Sequence, residues 1–352
     1  MLSFAKKVCF FVFAILLFSC EEKYVIENPV ETVIISADSS VKIVGNTITF
    51  SALTNTGTNV SANTTFEVDG SIISSNAFSS ATTGVYAVRG RFAGKWSESI
   101  SITFHDGSET NFAKRVLVED YTGTWCGYCP RVAFALEQAL AQPNNKVVAV
   151  AIHRASSNPI SSSFDPYNFD SSAIENILDD PGYPKGYLNR MTKWNTPEDQ
   201  NIQQVINLSQ GANPKLGIAL TSGLSNNNIS LEVKVKFAKN FTGLKLVVYI
   251  LENKLIYNQK NYTAFYGGVS VIPNFEHNHV LRGLMTNLLG DAIADSETTI
   301  GKTFSRNFNI SVPSNILSKE NLEYVAFVVD ANGTALNSRA AKKTDVQAFE
   351  EL

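Results

Sequence analysis

The strongest constraint on this chain is a pair of cysteines, Cys126 and Cys129, standing two residues apart where a strand hands over to a helix. Val116 to Tyr121 is a strand candidate. A helix is predicted from Cys126 to Ala141, with Val132, Leu136 and Leu140 on one face and Gln142-Pro143-Asn144-Asn145 as its stop. Lys146 to Ile152 follows as a second buried strand of small and β-branched residues. A strand, helix, strand succession of this length predicts a parallel crossover. At such a junction the unsatisfied N–H groups and the positive helix end stabilise a thiolate. Cys126 is therefore expected to be an exposed nucleophile, and Cys129, one turn on and facing inward, the thiol that resolves its mixed disulfides.

With 352 residues, 44% hydrophobic and 17% charged, the chain is long enough for two or three domains. Its 29 Lys and Arg against 32 Asp and Glu form no dense basic stripe, which argues against a nucleic-acid partner. Lys6 and Lys7 precede an apolar run from Val8 to Phe18, short for a bilayer span and ordered like a secretory signal. The run ends in Leu17-Phe18-Ser19-Cys20, which resembles a lipobox. That resemblance implies a lipoprotein signal peptide over 1–19 and a lipid on Cys20 as the first mature residue, followed by a tether over 20–31. An ordinary signal peptide or hydrophobic anchor is the alternative. In the lipoprotein reading Cys9 leaves with the signal and Cys20 carries lipid. Cys126 and Cys129 are then the thiols left to pair in an oxidising compartment.

Either side of the crossover the pattern is β. Ile48, Phe50 and Ala52 alternate with Thr47, Thr49 and Ser51; Tyr86 and Val88 alternate with Ala87 and Arg89; Ile100, Ile102 and Phe104 complete the series. Residues 32–107 are expected to form an immunoglobulin-like β-sandwich, although the cysteine pair of antibody-type domains is missing. Residues 112–212 are expected to be the central α/β domain. Within it Ser172-Ala173-Ile174-Glu175 reads as a capping box, and Thr196 with Pro197 as a cap and first turn. Ile229, Leu231, Val233, Val235 and Phe237 then alternate with polar residues, so 213–352 are expected to form a C-terminal antiparallel, sandwich-like β-domain.

The segment Asp120-Tyr121-Thr122-Gly123-Thr124-Trp125-Cys126-Gly127-Tyr128-Cys129-Pro130 resembles the active-site strand, loop and helix of the thioredoxin superfamily, matching its Trp-Cys-x-x-Cys motif. The resemblance implies a thioredoxin-like core, Trp125 beside a catalytic Cys126–Cys129 disulfide, and Asp120 as a buried proton-transfer acid. Read from the residue alone, Asp120 is equally a solvated strand-end carboxylate. The superfamily also places a cis-proline opposite the disulfide. Gly182-Tyr183-Pro184-Lys185 stands in the matching context, which makes Tyr183 and Pro184 substrate-docking candidates. The pattern departs from the superfamily in two places. No lysine in Val147 to Ile152 partners the acid, the charge at that strand's end being His153, and an insert over 154–169 carries Phe164, Tyr167 and Phe169 as either a partner surface or a packed loop.

No cofactor is implied. His277-Asn278-His279 is the best metal-ligand cluster, but no third ligand stands at a recognisable spacing, so no metal is expected. Taken whole, with Asn278-His279-Val280-Leu281-Arg282 as a weaker match in the tail, the chain resembles the twenty-eight-kilodalton outer-membrane-protein family of Gram-negative lipoproteins. That resemblance implies an outer-membrane, lipid-anchored protein. Two functions follow as expectations: a cell-envelope thiol-disulfide oxidoreductase acting on protein thiols or disulfides, or a surface adhesion or interaction protein in which the cysteines form a permanent clip. Scaffolding by the β-domains is a third.

Overall fold

A computed structural model describes residues 30, 32–154, 160–210 and 212–352. The expectations for the signal segment and for Cys20 lie outside the described residues.

The chain is mostly β, arranged in several sheets. Near its N-terminus Val33–Ala37, Thr47–Thr54 and Ala77–Ser79 form one antiparallel sheet. Val41–Ile43, Ile100–His105, Gly84–Phe92 and Thr65–Val68 lie in a second. The alternating residues read from the sequence meet in one core: Ile48, Phe50, Ala52, Val88, Ile102 and Phe104 are all buried, beside Phe66 and Ile35.

The central crossover begins with β1 (Val116–Thr122), which leads through the Cys loop to α1 (Pro130–Leu140) and then to β2 (Val147–His153), parallel to β1 in register Val116↔Val147. There follow α2 (Ser172–Leu178), β3 (Lys185–Leu188) and β4 (Thr192–Lys193), and then α3 (Ile202–Gln210). β3 runs antiparallel to β1 with Tyr121 opposite Lys185, and β4 antiparallel to β3. All seven residues of β1 are buried because the sheet is covered on both faces. Val116 and Val118 face α1 and α3 through Val132, Leu136, Ile202 and Val205, while Leu117 and Tyr121 face α2 through Ile174.

Three helix boundaries differ from the sequence expectation. α1 starts at Pro130 with Cys129 as its N-cap, not at Cys126, because residues 123–129 are tied into turns by Cys126 N–H to Gly123 O and Cys129 N–H to Cys126 O. Proline suits the first helical position, where its missing N–H has no partner to lose. The cap of α2 is Ser171 rather than Ser172; its hydroxyl donates to Glu175 at 2.5 Å. Pro197 does not open α3: the Thr196–Pro197 peptide is cis and leads into a 3₁₀ turn over Glu198–Gln200.

The sheet does not end at the expected 212/213 border. Val280–Leu284 joins β2 in parallel through Ala151↔Val280, and Lys245–Glu252, Leu322–Val329, Ala335–Lys342 and the short Asp291–Ala292 extend the same sheet to nine strands. Over its distal part lies a separate four-stranded sheet built on Leu216–Ser225 and Asn228–Phe237. Ile229, Leu231, Val233 and Val235 of that sheet pack on Leu246, Val248, Ile250 and Tyr324. Leu255–Lys260 and Val271–His277 form an antiparallel hairpin that joins neither sheet.

Candidate functional site

Cys126 and Cys129 form a disulfide between Cα atoms 5.4 Å apart. Their loop is fixed from several sides. Thr124 N–H donates to Asp165 Oδ2 at 2.7 Å, and the Trp125 indole N–H donates to Arg154 O at 3.0 Å. The Trp125 ring meets Tyr183 edge-on at 5.8 Å. Gly127 is required by proximity: a Cβ there would lie 2.3 Å from the Tyr262 ring.

The expectation of an exposed Cys126 is overturned. Cys126 is 4% exposed and Cys129 1% exposed, because the hairpin tip lies over the loop. Lys260 N–H donates to Thr124 O at 2.9 Å and Tyr262 N–H to Gly127 O at 2.6 Å. The Gln259 side-chain amide donates to Gly123 O and to Cys126 O. A strand more than a hundred residues away in sequence supplies this cover, so no local pattern around the cysteines predicted it.

Alternation along β1 puts Asp120 on the same face as Val116 and Val118, beneath α1, and there it lines a cavity of about 110 Å3 together with Cys129, Thr122, His153, Gln259 and His277. Asp120 is 3% exposed and its Oδ1 has no hydrogen-bond partner among the described residues. Burial pushes its pKa well above the ordinary carboxylate range, and the negative charge of Glu198 adds to the shift. The solvated strand-end reading of Asp120 therefore fails. Glu198 itself is held by Arg131 of α1 through two hydrogen bonds, at 2.6 and 3.2 Å.

On the cavity's far wall His153 Nδ1 meets Asp165 Oδ2 at 2.8 Å, both residues being almost fully buried. Burial drives the Asp165 pKa up, but the His153 charge and hydrogen bonds from His153, Thr124 N–H and Tyr167 N–H more than offset this and hold it low. His277, on the hairpin, sits 5.1 Å from His153 between ring centroids, and burial lowers its pKa to about 3, with the His153 charge acting in the same direction. In the described part of the 154–169 insert Asp165 and Tyr167 are buried and Ile160 is exposed. His277 and His279 do not share a face: His277 points into this cluster, while His279, at positive φ, binds Glu323 at 2.8 Å. No group of three or more potential metal ligands occurs among the described residues.

Tyr183–Pro184 is a cis peptide immediately before β3, at the sheet end where β1 delivers the Cys loop. The Tyr183 hydroxyl donates to Glu175 at 2.7 Å, and burial raises its pKa, with Glu175 adding to the shift. The structure thus brings Asp120, Trp125, Tyr183 and the disulfide to one end of the sheet. It adds Gln259, Tyr262, Asp165 and His277, of which only His277 carried a sequence signal, and that signal was for metal.

The class defined by this geometry is a β-rich, several-sheeted protein with a buried Cys-x-x-Cys disulfide at the mouth of a parallel crossover. Residues 171–346 match the family of outer membrane protein Omp28, and the chain belongs to that family. The matched stretch starts at α2, so it does not include the cysteines. Among solved structures, HBP35 of Porphyromonas gingivalis is similar at 20% identity and a TM-score of 0.50, over 68% of this chain and 79% of that one. A domain of the outer membrane lipoprotein Omp28 from Porphyromonas gingivalis is 21% identical with a TM-score of 0.26, over 38% of this chain and 91% of that one. No curated protein matches the sequence.

Proposed function

We propose that this Omp28-family protein is a cell-envelope lipoprotein, held at the outer membrane by lipid on Cys20, whose Cys126–Cys129 pair carries out thiol–disulfide exchange with envelope proteins. In this reading residues 112–212 are a thioredoxin-like unit, flanked by an immunoglobulin-like unit over 32–107 and a C-terminal β-unit over 213–352. The order β1-α1-β2-α2-β3-β4-α3, with β3 and β4 antiparallel beside β1, supports the thioredoxin-like assignment.

The observation that carries the proposal is Asp120. A structural clip has no use for a buried carboxyl that lines the same cavity as Cys129 with an oxygen lacking a partner among the described residues, since burial without a hydrogen bond costs free energy. A resolving thiol does, because it must lose a proton before it can attack. In the reduced protein Cys126 thiolate attacks a substrate disulfide, forming a mixed disulfide and releasing one substrate thiolate. Asp120 in its ionised form, which its raised pKa makes a stronger base than an ordinary carboxylate, takes the proton of Cys129, and Cys129 attacks the Cys126 sulfur. The second substrate thiolate leaves, the substrate disulfide has gained two electrons, and the 126–129 disulfide is restored. The oxidised pair runs the same steps in reverse. Trp125 and Tyr183–Pro184 shape the docking edge.

The test is a Cys129→Ser chain expressed in cells, run beside a measured reduction potential for the wild-type pair and intact-mass analysis of the membrane fraction. Trapped mixed disulfides, a potential above roughly −300 mV and an acylated Cys20 are expected. A lower potential with nothing trapped would falsify the exchange reading and leave the second one, a permanent clip in a surface interaction protein. The burial of Cys126 favours that second reading.

A further inference from the structure

The loop carbonyls facing the hairpin form a row of acceptors reached by one short segment, those of Gly123 and Cys126 also taking the Cys126 and Cys129 N–H groups within the loop. Gly123 O and Cys126 O accept from the Gln259 side-chain amide at 3.2 and 3.0 Å, an amide that also donates to Lys260 O at 3.0 Å, while Thr124 O takes Lys260 N–H and Gly127 O takes Tyr262 N–H. Alternate backbone amides of an extended strand thus point at the loop, as in recognition by strand addition. Gly127 leaves room for this approach, and aromatic contacts flank it: Tyr128 meets Tyr262 edge-on at 5.5 Å, and Phe134 of α1 stacks on Phe265 at 4.4 Å. The two hairpin strands pair with each other and with no other strand among the described residues, so the tip is held down by these contacts together with those of Tyr266, whose hydroxyl donates to Glu137 at 3.0 Å and whose ring meets Phe134.

We infer that the carbonyls of Gly123, Thr124, Cys126 and Gly127 are a binding site for an extended polypeptide, filled in this closed state by the chain's own Gln259–Tyr262 and taken over by a substrate strand when the hairpin tip lifts. The occupant is a peptide presenting a side-chain amide, a backbone N–H at the next residue, and an aromatic residue with a free N–H two residues further on. The inference rests on the exchange reading for the identity of that occupant as a redox substrate. Displacement bares the 126–129 disulfide, so cover and substrate compete for one set of acceptors.

The experiment uses the full chain and a water-soluble phosphine, with reduction of the 126–129 disulfide followed by alkylation and mass measurement. Two variants are compared with wild type: Tyr262→Ala, and a chain in which 261–270 are replaced by Asn-Gly, which preserves the Lys260↔Val271 pair at the hairpin end. Both are expected to be reduced about tenfold faster or more, since the first removes the Tyr262 ring contact with Tyr128 and the second also removes the residue-262 N–H and the Phe265 stack, so that lifting the tip breaks fewer contacts. A synthetic peptide of residues 257–264 is expected to slow the shortened chain again, and the same peptide N-methylated at its Tyr262 position to leave it fast. Wild-type rates in both variants, or equal protection by the methylated peptide, overturn the inference. These rates do not depend on a trapped cellular partner or on the potential, so failure of the exchange reading and failure of the cover are separately visible.

Discussion

Asp120 and Glu119 are neighbours on one strand with opposite surroundings, and period-two alternation separates them. Glu119 turns toward Tyr249 and Arg190 on one face of the sheet, and Tyr249 donates to it at 3.3 Å. Asp120 turns toward the disulfide, and among the described residues its Oδ1, like Oε2 of Glu119, has no partner. Its raised pKa means that the folded protein favours the protonated acid. The associated stability is complete below the unfolded value near 3.8 and is lost as pH rises through the folded value. Asp120→Asn is therefore expected to stabilise the protein at neutral pH by roughly 1–2 kcal/mol, with a gain that grows from about pH 4 upward. Urea unfolding at several pH values checks this. A variant that is less stable at pH 8, or a gain flat with pH, would refute the assignment of Asp120 as a strained buried acid.

At the scale of the element, the hairpin Leu255–Lys260 and Val271–His277 is held at both ends. Its tip meets the Cys loop, and its base packs by His277 against His153 of β2, with Asp165 and Tyr167 from the segment before α2 and Tyr257 and Phe275 of the hairpin itself around it. His277 has a folded pKa depressed to about 3 from an ordinary 6.5. The neutral ring is what fits, so the packing is at full strength above about pH 6.5 and weakens as pH falls toward 3. Hydrogen exchange at Lys260 and Tyr262, corrected for intrinsic rates, should accelerate on acidification below pH 6.5, and His277→Phe should remove that dependence. If wild type and variant show the same acid response, His277 is not the group that anchors the hairpin base.

For the molecule as a whole, the nine-stranded sheet matters most, because it carries the central crossover into the C-terminal region without a break. Leu281, fully buried on Val280–Leu284, packs in one cluster with Val148, Ile152, Tyr249 and Phe327. Leu281→Ala should cost about 2–5 kcal/mol. The loss should appear in Trp194, which is buried in the central unit far along the sequence. Fluorescence of Trp194, recorded with Trp96 and Trp125 replaced by Phe, and far-ultraviolet circular dichroism are expected to shift together. A dichroism transition that moves while the fluorescence transition stays put would mean that the sheet does not couple the two regions.

Much of this was legible in the residues, for reasons that are local. Alternation marked Ile48, Phe50 and Ala52, and Ile229 to Phe237, as inward-facing, because a strand's side chains change face at every residue whatever lies opposite. The strand, helix, strand order around the cysteines was legible because hydrophobic period and stop residues act within a dozen positions. The helix start was misplaced by one turn because Pro130 competes with Cys126 as an initiator, and only the turn bonds of residues 123–129 decide between them. The exposure of Cys126 was not legible at all. It depends on Gln259, Lys260 and Tyr262, which carry no pattern pointing to residue 126 and reach it only because parallel pairing of Ala151 with Val280 brings the C-terminal strands alongside the crossover. Spacing along the chain determined which residues can form the disulfide and which face Asp120 takes. Only long-range sheet pairing decided that the disulfide is covered, because burial is a property of what packs from outside, and no short stretch of sequence contains its own neighbours.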